Sequence, residues 1–579
     1  MSVFFCEVSL NPATLARPDA GYRNVRFDGV EFFYDSSCRI VQCGKFGEYF
    51  GIIFGKVFNL DELLGPVCKL FPVDDLEKLI ILKNFYRDQL LGLLRGDFVL
   101  VFIHLPRLEV EIVKSPFSCK GLYYANDTSR FVFSNSFPSL KKIFSGQLEI
   151  DQEKLVDLLS KNIFLSERSF YKRIFQVESA QIIHWAPYKT LKKQVFCVAQ
   201  RGCEESRSLS FYADGLKERL QAAVQHRLTQ EEKVFCEISG GLDSTSVAGV
   251  LAKQVRTLVG LSDYSTPHNT FGLKLSEKIT NERFLLDFEA LHSNSKICRY
   301  DGLSLSKNYS EITRFCFDHS NGPELAPNNL LWLLSFYEFS HQQGAKKLFS
   351  GRLGDFAFSF RTMVNQGLLG NIRSTLSKMK KKCLSQSCQG GFESVLLKKE
   401  VLTKLPSHFS NVIRCIQNPS QRRIELLNLS RKSMTATSNF SAAAFSQFGI
   451  ESLDPTSDLD LIEYCLTIPV EAYWQNGINR YVTREAMRGI IPESVRLNQI
   501  KGIQAPHWYV PLKRELGYYK SLLSKFSKND LIAEIVDLPR LGKLLREFEA
   551  LPIHKLLLDH RINLVHALHV CEWVILHDE

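Results

Sequence analysis

The chain has no apolar run long enough to cross a bilayer, although 45% of its 579 residues are hydrophobic. Its opening stretch, MSVFFCEVSLNPATLARPDAG, lacks the basic region and apolar core of a secretion signal. No CxxC pair occurs among the 15 cysteines. An odd count at irregular spacing argues against a disulfide framework or a zinc site, and for reduced thiols in the cytoplasm. Cys236 and Cys465 fall in apolar runs and are expected to be buried as small hydrophobes. There is no internal repeat, no low-complexity tract, and no interleaving of aromatic with basic residues. The net charge of +10 therefore suits an anionic ligand such as ATP, or an acidic partner, and does not point to nucleic acid.

What is present is enough apolar content for two or more domains. The polar stretch AQRGCEESRSLS, residues 199–210, lacks periodicity and reads as a linker. Before it, short β-like runs dominate: 50–54, 98–104, 109–113, 122–124 and 130–133. After it, helical patterns alternate with short apolar strands. The expected architecture is an α+β domain of stacked antiparallel sheets over residues 1–205, followed by an α/β domain with a parallel sheet over 206–579.

Residues 234–251, VFCEISGGLDSTSVAGVL, read as strand, tight loop and helix. Gly240 and Gly241 let the backbone turn and come close to a ligand. The first amides of the helix then converge on one point, with the positive end of its dipole behind them. An anion of pyrophosphate size is the natural occupant. No Gly-Lys-[Ser/Thr] follows, so this is not a Walker A loop, and the spacing of a dinucleotide fingerprint is absent.

The string SGGLDST instead resembles the PP-loop of enzymes that split ATP between the α and β phosphates: asparagine synthetases, β-lactam synthetases and lasso-peptide cyclases. The resemblance implies ATP and pyrophosphate contacts at Ser239, Gly240, Gly241, Leu242, Asp243, Ser244 and Thr245. It also implies adenine against the end of the strand 257–262, at Leu261 and Ser262. Further strands are expected at 297–299 and 347–349. The latter runs into SGRLGD, which resembles the SGxGxDE loop of the same families and places Ser350 and Gly351 at the nucleotide. Asp243 and Asp355 are then the expected Mg²⁺ ligands, one from each loop.

FGIESLDPTSDLDLIEY (448–464) looks like the GxExRxPFLDxxLxE stretch, with Glu451 at the family's glutamate. In β-lactam synthetase that residue pairs with a tyrosine of the SGxGxD loop to deprotonate the attacking amine. Here the tyrosine position holds Arg352, which stays protonated and is no base. Arg352 is expected to hold Glu451, an acidic substrate group or phosphate, leaving Glu451 as base or amine-positioning group. The segments 479–487, 491–496 and 499–502 resemble K/RxxLRxAMxxxLPxxVxxRxK. Lys501 falls on the lysine that faces the α-phosphate, where a fixed ammonium stabilises the charge that builds during adenylation. Arg480 and Arg484 are expected on one helix face. A basic, then glycine-containing insert, 373–391, reads as solvated helix and loop, or as a lid or docking surface. His554, His560, His566 and His569 follow helical spacing and read as packing.

The first half resembles, more weakly, the class II (Ntn-type) glutamine amidotransferase domain that precedes the ATP domain in asparagine synthetases. That family uses an N-terminal cysteine freed by methionine removal. Residue 2 here is Ser2, and Cys6 lies inside the first strand, so the domain is expected to be a degenerate, non-hydrolysing scaffold. The implied whole is this domain followed by a PP-loop adenine-nucleotide α-hydrolase-like synthetase, using ATP and Mg²⁺ to join an acid to an amine through an acyl-adenylate. Without glutaminase, the amine should come from the substrate itself. The resemblance then favours a lasso-peptide cyclase closing a macrolactam between an N-terminal amine and an Asp or Glu side chain. Its implied partners are a ribosomal precursor peptide, a leader peptidase and a leader-binding protein. The alternatives are an ammonia-dependent asparagine synthetase, a β-lactam-type synthetase, or a non-catalytic relative that binds nucleotide or peptide.

Overall fold

The computed structural model describes residues 3–10, 22–35, 41–65, 73–161, 165–195, 207–229, 233–265, 280–301, 307–361, 395–405, 418–500, 502, 504–552, 555–556 and 559–577. Ser2, Lys501, His554 and the basic insert 373–391 lie outside these residues.

Two six-stranded sheets build the first half. One runs, in spatial order, Phe175–Gln176, Tyr123–Asn126, Arg130–Ser134, Phe4–Ser9, Val30–Asp35, Tyr22–Phe27; the other Lys192–Val195, Gln181–Trp185, Glu109–Lys114, Gly96–His104, Tyr49–Val57, Val41–Phe46. Every neighbouring pair is antiparallel. Alternate residues face inward, as the period of two requires. Phe4, Cys6 and Val8 of one sheet thus pack with Phe50, Ile52, Phe54, Val99 and Val101 of the other. The helix Asp75–Tyr86 covers the outer face of the second sheet through Leu76, Leu79 and Ile80. The helices Phe137–Ile143 and Gln152–Leu159 cover the first. Cys6 pairs across to Phe32 on one side and Phe133 on the other. Burial pushes its thiol well above the ordinary range, so it is an inert core residue.

Helix Leu209–Arg227, capped by the Ser208 hydroxyl, opens the second half. A five-stranded parallel sheet follows, ordered Ser295–Tyr300, Thr257–Asp263, Lys233–Glu237, Lys347–Phe349, Glu451–Leu453. Parallel strands joined by crossover helices bring their C-terminal ends to one edge, where ligands bind. Four of these strands are the expected ones. The fifth, Glu451–Leu453, has only one apolar residue in three and so leaves no hydrophobic run. Cys236 and Cys465 are fully buried. In the closing helix, Val565–Ile575, His566 and His569 are buried, and burial pushes both imidazoles down to about 3. They are neutral packing residues.

The helix Pro419–Phe448 ties the halves together. Phe445 enters the core of the first half, 6.1 Å from the Phe54 ring. Its polar face meets strand ends of that half: Tyr123 Oη donates to Asn439 Oδ1 (3.1 Å), Gln176 Nε2 to Ser438 Oγ (2.8 Å), and Ser179 N to Thr435 Oγ1 (3.0 Å). Buried polar groups paired in this way fix one docking geometry. Among the described residues no helix is long and apolar enough to cross a membrane.

Candidate active site

The central strand Lys233–Glu237 ends in a loop that turns at Gly240, whose φ of +74° only glycine adopts without strain. Helix Leu242–Gln254 starts directly after it. Its N-cap, Gly241, supplies no side-chain oxygen, so the first-turn amides stay open to a ligand. The loop shapes itself internally. Ser239 N donates to Ser244 Oγ (3.1 Å), Gly241 N to Ser239 Oγ (3.2 Å), and the Ser239 and Ser244 hydroxyls lie 2.8 Å apart.

The loop after Lys347–Phe349 lies directly on the first. A Cβ at Gly354 would overlap the Asp243 carboxylate, and one at Gly351 would come within 2.9 Å of the Asp243 backbone. Asp243 and Asp355 therefore meet, as their loops predict, and Arg480 spans them. Its guanidinium is 3.6 Å from Asp243 Oδ2 and hydrogen-bonds Asp355 Oδ1. Arg480 does not share a helix face with Arg484. It precedes helix Tyr481–Ala486 as a left-handed N-cap (φ 60°), while Arg484 turns back onto the carbonyls of Asn479 and Arg496.

Asp243 Oδ1, Thr245 Oγ1 and Ser350 Oγ are buried with no hydrogen-bond partner among the described residues. Unpaired buried polar atoms are costly, and these three lie around one loop crossing. Burial and the neighbouring Asp355 charge push the Asp243 carboxyl up to about 7, against the pull of Arg480. No group of three or more His, Cys, Asp or Glu side chains among the described residues is placed to hold a metal. Two carboxylates do fit a cation that takes its other ligands from phosphates, as Mg²⁺ does. Beside this crossing, Leu261 is buried and Ser262 Oγ accepts from Asn281 Nδ2 (3.2 Å). Asn281 also donates to the carbonyls of Asp263 (2.8 Å) and Ser239 (3.4 Å), joining the first two strand ends.

The expected contact of Arg352 with Glu451 is not formed. Glu451 lies opposite Lys347, at the start of its strand, while the loop leaves the sheet only after Phe349, opposite Leu453. Two strand residues, about 7 Å, separate those levels. Arg352 instead grips Glu237 with Nε (3.2 Å to Oε2) and Nη2. Glu451 goes to Lys120 of the first half (2.8 Å), which also holds Asp97 (3.1 Å). All three of these side chains are buried. The acidic group that reaches the Arg352 loop is Asp454. Its Oδ2 accepts from Leu353 N (2.9 Å), and its Oδ1 from Thr456 N (2.9 Å) and Oγ1 (2.6 Å).

Glu237, Asp454, Lys120 and Asn281 were not singled out from sequence. The one available signal was Glu237, the charge that ends the apolar run Val234–Cys236 of the central strand. A buried charge in that position needs a partner.

The asparagine synthase family model matches residues 215–570, which include both glycine loops, Asp243, Asp355, Glu451 and Lys501. The chain is 24% identical over 319 residues to amidase chyE of Penicillium rubens, covering 53% of this chain and 46% of that protein. It is 21% identical over 216 residues to amidase chry2 of Gibberella zeae, covering 36% and 32%. It thus spans less than half the length of either amidase. To asparagine synthetase [glutamine-hydrolyzing] 1 of Bacillus subtilis it is 22% identical over 531 residues, covering 83% and 80%. Among solved structures, glutamine phosphoribosylpyrophosphate amidotransferase from B. subtilis matches 40% of this chain and 61% of its own, at 12% identity and a TM-score of 0.21.

Proposed function

The chain belongs to the asparagine synthase family, and from that premise we propose that it is an ATP-dependent carbon–nitrogen ligase that activates a carboxylate as its adenylate and passes it to an amine. The observation that carries this is the crossing of two glycine loops at Asp243 and Asp355, with the Asp243 Oδ1, Thr245 and Ser350 oxygens left unpaired around it. The open amides at the start of helix Leu242–Gln254 take the phosphates that depart as pyrophosphate. Asp243 and Asp355 would hold Mg²⁺, which when bound neutralises phosphate charge. Arg480 already lies between the two carboxylates and is placed to turn to phosphate oxygens. The Ser239–Ser244 hydroxyl pair and Asn281 fix the loop between phosphate and adenine sites.

The first half supports a reading as a class II amidotransferase-like scaffold without glutaminase. Cys6, the cysteine nearest the N-terminus, is buried in mid-strand. The amine is then supplied by the substrate, and macrolactam closure of a lasso-peptide precursor is the proposed reaction. Its proposed partners are the precursor peptide, a leader peptidase and a leader-binding protein.

The test is AMP and pyrophosphate release by the full chain with precursor peptide, with aspartate plus ammonium, with aspartate plus glutamine, and with no acceptor. The expected result is AMP in step with a product lighter than the peptide by one water, and no glutamate from glutamine. Asparagine from the ammonium arm would replace the cyclase reading by ammonia-dependent synthesis. AMP release in no arm would refute the ligase itself.

A further inference from the structure

A short hairpin delivers Arg480 to its place between Asp243 and Asp355. Strands Trp474–Gln475 and Ile478–Asn479 pair antiparallel around the two-residue turn Asn476-Gly477. Both turn residues have positive φ, 52° and 77°, as a tight hairpin turn requires. Arg480 follows at once and is itself left-handed. We propose that Arg480 is a built-in counter-ion: it fills the cation position of the nucleotide-free protein, and a divalent ion gains both carboxylates only after a phosphate has drawn the guanidinium away. The inference rests on the reading of Asp243 and Asp355 as metal ligands and adds the order in which that site fills.

Charge sets up the competition. Arg480 Nη1 lies 3.6 Å from Asp243 Oδ2, and Nη2 donates to Asp355 Oδ1. The side chains of Arg480 and Asp243 are 18% and 15% exposed, so water screens their contact weakly. The two other arginines of this region are spent elsewhere. Arg484 donates to the carbonyls of Asn479 and Arg496, and Arg496 pairs with Glu485 (2.9 Å) and Glu493 (2.6 Å). Arg480 is thus the cation in contact with Asp243 and Asp355 among the described residues. A divalent ion bound to the same oxygens would stand within a few ångströms of the guanidinium, where like charges repel strongly. The two cations exclude each other.

The geometry provides the release. Arg480 divides its fork, one nitrogen to each carboxylate, so neither receives the two parallel bonds of a bidentate pair. Arg352 shows the contrast: it grips Glu237 with Nε and Nη2 together. A phosphate accepts an arginine fork bidentately, and charge-assisted pairs of that kind are the strong ones. The open first-turn amides of helix Leu242–Gln254, which holds Asp243, are where such a phosphate lands. It therefore arrives beside the guanidinium and offers it the better partner.

The backbone agrees with this role. A left-handed conformation is unfavourable for a residue with a Cβ and persists where its surroundings impose it. At Arg480 it turns the side chain onto the loop crossing, away from Arg484 four residues on. Asp243 Oδ1 meanwhile stays buried and without a partner among the described residues. The nucleotide-free site is therefore neutralised only in part: one guanidinium faces two carboxylates, and one carboxylate oxygen remains open. A divalent ion balances both charges, but only once the guanidinium has gone.

The test is Mn²⁺ binding by the full chain, read by the EPR signal of free Mn²⁺, without nucleotide and with α,β-methylene-ATP. Without nucleotide, Arg480→Gln should bind Mn²⁺ about tenfold or more tighter than the wild type. Arg480→Lys, which keeps the charge, should bind as weakly as the wild type. Adding Asp355→Asn to Arg480→Gln should remove the gain, which locates it at the two carboxylates. The proposal is overturned if Arg480→Gln binds no tighter than the wild type, if Arg480→Lys gains as much, or if the gain survives Asp355→Asn. It is overturned as well if the nucleotide-free wild type binds Mn²⁺ as tightly as it does with the analogue, and this arm stands even if the variants misfold. A gain in Arg480→Gln without AMP release by the wild type in any acceptor arm would refute the ligase and leave the counter-ion standing. AMP release without that gain would refute the counter-ion alone.

Discussion

Asp243→Asn keeps the shape of a buried side chain and removes the charge that makes it costly. Its carboxyl lies at about 7 in the folded chain and ordinarily at 3.8. Each tenfold change in proton affinity is worth about 1.4 kcal/mol, so holding this group ionised destabilises the empty fold by roughly 4 kcal/mol. The sign follows from linkage. Below the unfolded value both states are protonated and there is no penalty. The penalty grows from about pH 4 and is complete once pH has risen through about 7. Asp243→Asn should therefore be more stable than the wild type at pH 8, by up to about 4 kcal/mol less the loss of the Arg480 contact at 3.6 Å. The advantage should shrink at pH 5 and vanish below pH 4. AMP formation should fall by a factor on the order of a hundred or more, since a charge placed for the transition state is gone. Urea midpoints of the ligand-free chain at pH 5 and pH 8, with AMP release at saturating ATP, measure both effects. A variant less stable than the wild type at pH 8, or an advantage that does not change with pH, would refute the placement of Asp243 as a desolvated, ligand-awaiting carboxylate. So would AMP release at the wild-type rate.

Gly354→Ala puts a methyl group onto the Asp243 carboxylate. It should cost about 1–3 kcal/mol by overpacking and lower AMP release more than tenfold, read by thermal melts and the same assay. Lys120→Met leaves Asp97 and Glu451 buried and uncompensated. It should destabilise by about 3–5 kcal/mol. Adding Asp97→Asn and Glu451→Gln should recover most of that loss in urea melts, which a purely steric role of Lys120 would not allow.

The motifs that follow strand ends were legible because their residue types are dictated locally. A phosphate loop needs glycine at a positive φ and small hydroxyls before a helix, and residues 239–245 state that outright. The meeting of Asp243 with Asp355 followed from one topological rule, that parallel strands share a C-terminal edge. Strands 22–27, 30–35 and 41–46 of the first half were missed. Strands 22–27 and 41–46 are edges whose residues are all partly or fully exposed, and such edge strands owe their structure to pairing more than to burial. Strand 30–35, inside the sheet between 4–9 and 22–27, has its apolar run Phe32-Phe33-Tyr34 flanked by Glu31 and Asp35 and shows no alternation. The helix Pro419–Phe448 was missed for the opposite reason. It is wedged between two domains, both of its faces are partly buried, and its buried positions include Ser430, Thr435, Ser438 and Ser441. No amphipathic stripe forms where a helix buries serines against another domain's polar strand ends.

The partner of Arg352 shows where motif reading stops. A motif fixes which residue types follow one another; it does not fix the level at which two strands stand in a sheet. Glu451 and Arg352 fall on paired positions of the family pattern, but the register Lys347–Glu451 sets the glutamate below the loop and raises Asp454 to it. Glu237 then takes the guanidinium from the central strand. The consequence is chemical. An arginine left unpaired beside the nucleotide would draw an acidic group or a phosphate into the loop. Glu237 instead pairs with it and holds the loop to the central strand. Glu237→Gln should therefore leave the buried guanidinium without its carboxylate and destabilise the fold by about 3–5 kcal/mol in urea melts. A Glu237→Gln variant as stable as the wild type would show that this pair does not hold the loop to the sheet.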